Sequence, residues 1–306
     1  MPFLRERNGR WSAPKIVAFV LVCLPALWLA WLTATGGLGP RPFNEAIHQT
    51  GSWAVRFLLL SLAVTPARRI FGAPKLILTR RTIGVAAFAY AALHLTLYGF
   101  DQKLDIVKIA SEIALRVYLT IGFVAFLGLT ALAITSTDGM VRRLGGPRWQ
   151  ALHRLAYPIA VLAILHFLMQ TKLDVTESIM MAGFLAWLLL YRVAYRTVGD
   201  LGPLRLGLLA IAAAIMTALG EAAWYGVTTG VDPTLVLAAN LDVSFGLRPA
   251  AWVLVVGLAV AILAALRAVI PFGKIPSGKP LRGGADRRAP LPARATASPG
   301  AGGGTR

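Results

Sequence analysis

Apolar runs of about the length a helix needs to cross a bilayer recur along this chain, and they constrain its fold more than any other feature. A hydrocarbon core about 30 Å thick takes roughly 20 apolar residues per helix. The runs are Ile16 to Ala34, Trp53 to Pro66, Thr82 to Phe100, Val117 to Thr135, Trp149 to Met169, Ile179 to Tyr195, Leu206 to Trp224 and Ala250 to Ile270. The second is short and carries Arg56, so its helix starts before Trp53 or lies partly in the interface. The first, at about 19 residues, exceeds the 7–15 of a signal-peptide core, so it reads as a membrane helix rather than a cleaved leader. Mean hydropathy is +0.67. Of the 306 residues, 57% are hydrophobic, more than a soluble domain can cover with polar surface. The expectation is one all-α membrane protein of eight spans.

The net charge of +18 would suggest nucleic acid in a soluble protein. Here the basic residues fall between apolar runs, where they set topology instead. Arg68, Arg69, Lys75, Arg80 and Arg81 follow the second run; Arg142, Arg143 and Arg148 follow the fourth; Arg196 and Arg205 follow the sixth. The alternate loops are mixed or acidic. The positive-inside rule therefore places both termini in the cytoplasm, and eight spans satisfy that parity. Residues 271–306, rich in Pro, Gly, Arg and Ala, read as a disordered basic tail able to rest on anionic lipid. No internal repeat is evident. The single cysteine, Cys23, lies in an apolar run, so neither an internal disulfide nor a CxxC motif is possible.

Four histidines occur, and three lie in apolar runs: His94, His153 and His166. An ionisable side chain in hydrocarbon needs a partner, and imidazole is a common axial ligand of haem iron. By the topology above, the third and fifth helices run the same way. His94 lies about six residues before Phe100, and His166 about six before Lys172, so they share a depth on the periplasmic half. His153 lies about 20 Å lower and about 140° around a straight helix, with Pro158 between as a kink site. A lone histidine would more simply hydrogen-bond between helices. Two at matched depth, with a third below, point to b-type haem held by His94 and His166, with His153 open between a structural role and a second or shared ligand.

Other residues carry weaker signals. His48 reads as interfacial. Glu221 reads as interfacial or as a proton relay. Met180 and Met181 read as packing residues rather than ligands. Arg68, Arg69, Arg80 and Arg81 read as topology signals, or as partners for a flavin phosphate or haem propionates. No GxGxxG or P-loop is present, so electrons must come from a separate reductase or from quinol.

At these residues the sequence resembles the MsrQ (formerly YedZ) family, haem-binding membrane subunits of bacterial periplasmic methionine sulfoxide reductase systems. The likeness lies in Thr50-Gly51-Ser52-Trp53-Ala54, in Leu62 to Arg69, in Arg80-Arg81-Thr82-Ile83-Gly84 leading to Leu93-His94, and in Trp149 to His166. It covers roughly residues 12 to 200. It implies a ferric-reductase-like transmembrane helix bundle in the bacterial inner membrane, with a six-helix core over 1–200. It implies haem b linked to His94, His153 and His166, an FMN cofactor, and a periplasmic molybdenum-containing partner that reduces methionine sulfoxide. Residues 201–270 depart from that pattern as two extra helices. A stand-alone cytochrome b with another acceptor and a haem-free transporter are the rival readings.

Overall fold

The computed structural model describes residues 11–171, 174–244 and 246–269, and every regular element among them is helical. The long helices are α1 (Ala13–Ala34), α2 (Pro42–Ile70), α3 (Arg80–Asp101), α5 (Val117–Ile134), α8 (Ala156–Gln170), α9 (Thr176–Val198), α10 (Pro203–Thr229) and α12 (Pro249–Val269). Short helices fill the connections: α4 (Ile106–Leu115), α6 (Asp138–Leu144), α7 (Gly146–His153) and α11 (Pro233–Leu241). Seven spans are long and apolar enough to cross a membrane, with α7 and α8 counted together as one. The expected tail, 271–306, lies outside the described residues.

The eighth long helix, α2, falls short of that apolarity because its first half carries Asn44, Glu45, His48, Gln49 and Thr50. It is nonetheless the central helix. Eleven of its residues are buried, and it packs against α1, α3, α8 and α9. The helix begins at Pro42, well before Trp53, the first of the two alternatives that Arg56 left open. Arg56 pairs with Glu177 at 2.7 Å and lies over the Trp53 ring.

Two prolines inside membrane helices leave main-chain groups without their usual partners, and side chains from other helices serve them. Pro25 interrupts α1. There the Tyr90 hydroxyl donates to the Val22 carbonyl at 2.9 Å and accepts from the Ala26 N–H at 2.8 Å, the pair a regular helix would join directly. Pro66 interrupts α2 and cannot donate to the Leu62 carbonyl. The Arg192 guanidinium does so instead, while also donating to the Leu188 carbonyl and the Tyr157 hydroxyl. In hydrocarbon no water could take these roles.

The expected fifth span is not one straight helix. It breaks at Arg154 and Leu155 into α7 and α8. Pro158 removes a donor there, and the Tyr157 N–H bonds Arg154 in a tight turn at 3.1 Å. Beyond the core, α10 and α12 pack on α9 through small residues. Gly183 abuts Thr217 and Val253, and Gly257 abuts Ala210. Glu221, read from the sequence as interfacial or as a proton relay, is buried and paired. It is 1% exposed, ion-paired with Arg248 and hydrogen-bonded by Asn240 at 2.8 Å.

Arg192→Met should leave the Leu62 carbonyl without a donor, a loss of about 1–3 kcal/mol. Adding Pro66→Ala restores a main-chain donor to that carbonyl. Thermal unfolding in detergent of both single variants and the double variant should show the second change recovering part of the first loss.

Candidate functional site

A cavity of about 820 Å³ lies among α2, α3, α5 and α8. His94 enters it from α3 and His166 from α8. Their ring centroids are 6.3 Å apart and their planes nearly perpendicular, at 84°. Matched depth on the two helices brings both rings into one cavity.

Each ring is fixed in the same way. His94 Nδ1 lies 2.8 Å from the Ile47 carbonyl on α2, and His166 Nδ1 lies 2.7 Å from the Tyr118 carbonyl on α5. A carbonyl can only accept, so Nδ1 carries the proton in both rings and Nε2 keeps its lone pair. Among the described residues, neither Nε2 has a hydrogen-bond partner. A protein carbonyl on one ring nitrogen with the other free is the arrangement that orients a metal-ligating histidine.

A glycine makes room for each ring. Four residues after Ile47 stands Gly51, where a Cβ would lie 3.0 Å from His94 Nδ1. Four residues after Tyr118 stands Gly122, where a Cβ would lie 2.6 Å from His166 Nδ1. The helix pairs α2/α3 and α5/α8 thus share one device: a carbonyl, a glycine one turn on, and a histidine on the following partner helix. The sequence shows no repeat because the correspondence rests on three positions per pair. An isolated glycine in a helical pattern, one helix before each histidine, is the signal that marks it.

The residues and cavity fit a bis-imidazole metalloporphyrin. With metal–nitrogen bonds of about 2 Å and ring centres about 1 Å farther out, two imidazoles on one metal hold their centroids about 6 Å apart. The volume lies within the usual range for cofactor sites, roughly 300–1,000 Å³.

His153 does not line this cavity. It closes α7, stacked on Trp149 with centroids 3.9 Å apart, and its Nε2 lies 3.2 Å from the Thr135 hydroxyl. Trp149 in turn donates to the Thr135 carbonyl at 2.8 Å. Arg80 and Arg81 approach His153 from α3, and Arg80 also faces Tyr157 and Arg192. Arg81 pairs with Asp138 at 2.7 Å. Met181 is buried in the core and Met180 packs beside it, both away from the cavity.

At the polar end of the cavity the sequence marked only His48, as interfacial. Asn44, His48, Tyr98, Gln102, Glu112, Arg116, Gln170 and Asp174 line it there. The Tyr98 hydroxyl donates to Glu112 at 2.7 Å, and Arg116 reaches both Glu112 at 3.4 Å and the Tyr118 hydroxyl at 3.1 Å. Hydrogen bonds from the Thr176 hydroxyl and N–H hold the Asp174 carboxyl below the usual range. The short helix α4 carries Glu112 and Ile113 into the cavity wall while exposing Ile106, Val107 and Leu115. A surface helix of this kind suits a bilayer interface.

Comparison with known proteins agrees with this architecture. Residues 50–164 match the family described as ferric reductase like transmembrane component. A protein of Rhodospirillum rubrum is 45% identical over 190 residues, covering 62% of this chain and 89% of its own. One of Caulobacter vibrioides is 42% identical over 195 residues, 63% of this chain and 93% of its own. One of Xanthomonas campestris is 47% identical over 188 residues, 59% of this chain and 86% of its own. All three are named protein-methionine-sulfoxide reductase heme-binding subunit MsrQ. No solved structure matches the chain.

Gly122→Ala should drive the His166 ring out of place and abolish porphyrin binding, because the added methyl meets three ring atoms within 2.9 Å. Gly51→Ala meets His94 less closely and should only weaken it. Absorbance titration of the apoprotein with haem distinguishes the two.

Proposed function

This chain belongs to the MsrQ family, and on that premise we propose that it is the membrane electron-transfer subunit of a protein-methionine-sulfoxide reductase system, holding haem b between His94 and His166. The supporting observation is the pair of imidazoles lining one cavity with centroids 6.3 Å apart, each with Nδ1 committed to a carbonyl and, among the described residues, no partner on Nε2. Haem bound there supplies a one-electron carrier within the bilayer. The protein's own residues set the tautomer, fix the ring orientation and line the apolar part of the cavity with Leu58, Phe126 and Leu129.

The finer assignments rest on the family resemblance and on charge. The chain sits in the bacterial inner membrane with both termini in the cytoplasm, as the loop charges favour. The cavity's polar end then faces the periplasm, toward a molybdenum-containing catalytic subunit that reduces methionine sulfoxide in oxidised proteins. Electrons arrive at the opposite face from a separate reductase or from quinol. FMN binds at that face, where Arg80 and Arg81 stand at the start of α3 and guanidinium groups suit a phosphate. His153 stands among these arginines, apart from the axial pair.

Haem-per-protein ratios and reduced-minus-oxidised spectra test the reading. His94→Ala and His166→Ala should each lose the bis-imidazole spectrum, whereas His153→Ala should keep it. A well-folded wild-type protein that takes up no haem sinks the proposal. Copurification of a periplasmic reductase separates it from a stand-alone cytochrome b.

A further inference from the structure

The cavity has two unlike ends. Below the histidines its walls are apolar, from Leu58, Ala125, Phe126 and Leu129; above them they are polar. Haem b is apolar except for two propionate carboxylates on one edge, so that edge belongs at the polar end. Among the described residues lining the cavity, Arg116 is the sole lysine or arginine. It lies six residues before Gly122, the residue that faces His166, and hence about 9 Å farther up α5. Its side chain is 52% exposed. Glu112 and the Tyr118 hydroxyl each take one of its five N–H donors. The contact to Glu112 is long, at 3.4 Å.

We propose that Arg116 binds the haem propionates and that Glu112 is the competing carboxylate that limits this pairing. The proposal rests on the haem reading above and adds to it an orientation and a tuning pair. A propionate reaching Arg116 displaces or shares the guanidinium now directed at Glu112. Tyr98, from α3, holds Glu112 in place by donating to its other oxygen. His48, Asp101 and Asp174 also border the cavity. Arg116 thus favours retention of the cofactor and its reduced state, because a nearby positive charge stabilises the added electron. Glu112 opposes both.

The test uses the full-length haem-loaded chain. It measures the rate of haem transfer to excess apomyoglobin and the midpoint potential, with the absorption spectrum confirming two axial imidazoles. Arg116→Gln should speed haem transfer about tenfold, as expected for losing a charge-assisted hydrogen bond, and lower the potential. Arg116→Lys should stay near wild type. Glu112→Gln keeps an acceptor for Tyr98 but removes the charge, so it should slow transfer and raise the potential. These opposite signs are what a merely structural pair would not give. Shifts of both glutamine variants in the same direction, or none, with the bis-imidazole spectrum intact, overturn this assignment alone. A wild-type chain that takes up no haem overturns the haem reading and this assignment with it.

Discussion

Within a bilayer core no water can meet an unpaired main-chain group, and that constraint organises most of this structure. Pro66 strips Leu62 of its donor, and Pro25 interrupts α1 where Val22 and Ala26 would pair. Tyr90 and Arg192 answer from other helices. The two cavity histidines use the same bond in another setting, each donating from Nδ1 to a helix carbonyl. A bond that elsewhere repairs a helix here sets a tautomer. It leaves both Nε2 lone pairs available without any carboxylate, which would be costly to bury at that depth.

The sequence made the spans legible because hydropathy and loop charge are one-dimensional signals. It also made His94 and His166 legible as a pair, since depth along two helices follows from residue counting. Other features were not readable because they exist only between helices. Gly51 and Gly122 look like ordinary small residues until a histidine ring is laid against them. That α2 starts before Trp53 was one of two sequence readings, but its extent back to Pro42 was not, because that polar stretch is helical through packing against α3. The pairing of Glu221 was hidden because its partners, Asn240 and Arg248, lie 19 and 27 residues away across a loop. Tyr98, Glu112 and Arg116 gave no signal because the turn after α3 brings α4 back over the cavity. Lys103 and Leu104 both adopt left-handed φ there, which non-glycine residues seldom do.

The extra helices α10 and α12 join the core by shape more than by polarity. Glycine and alanine at Gly183, Ala210 and Gly257 let backbones approach closely, as membrane interfaces favour. The Glu221–Arg248 pair ties the loop between α10 and α12 back to α10, with the carboxylate buried and the guanidinium a third exposed. The buried carboxylate left alone would be costly. Arg248 also acts electrostatically on Asp174, which borders the cavity's polar end.

The two proline repairs bear on how the chain is assembled. Tyr90 follows Val22 by 68 residues, and Arg192 follows Leu62 by 130. As the polypeptide emerges from the ribosome, α1 and α2 are made long before the side chains that complete them. Each must wait in the insertion machinery, or among lipids, with a main-chain group exposed. Only when α9 arrives is the last of these defects closed. The main-chain pairing of the early helices is thus completed by side chains that come late in the sequence.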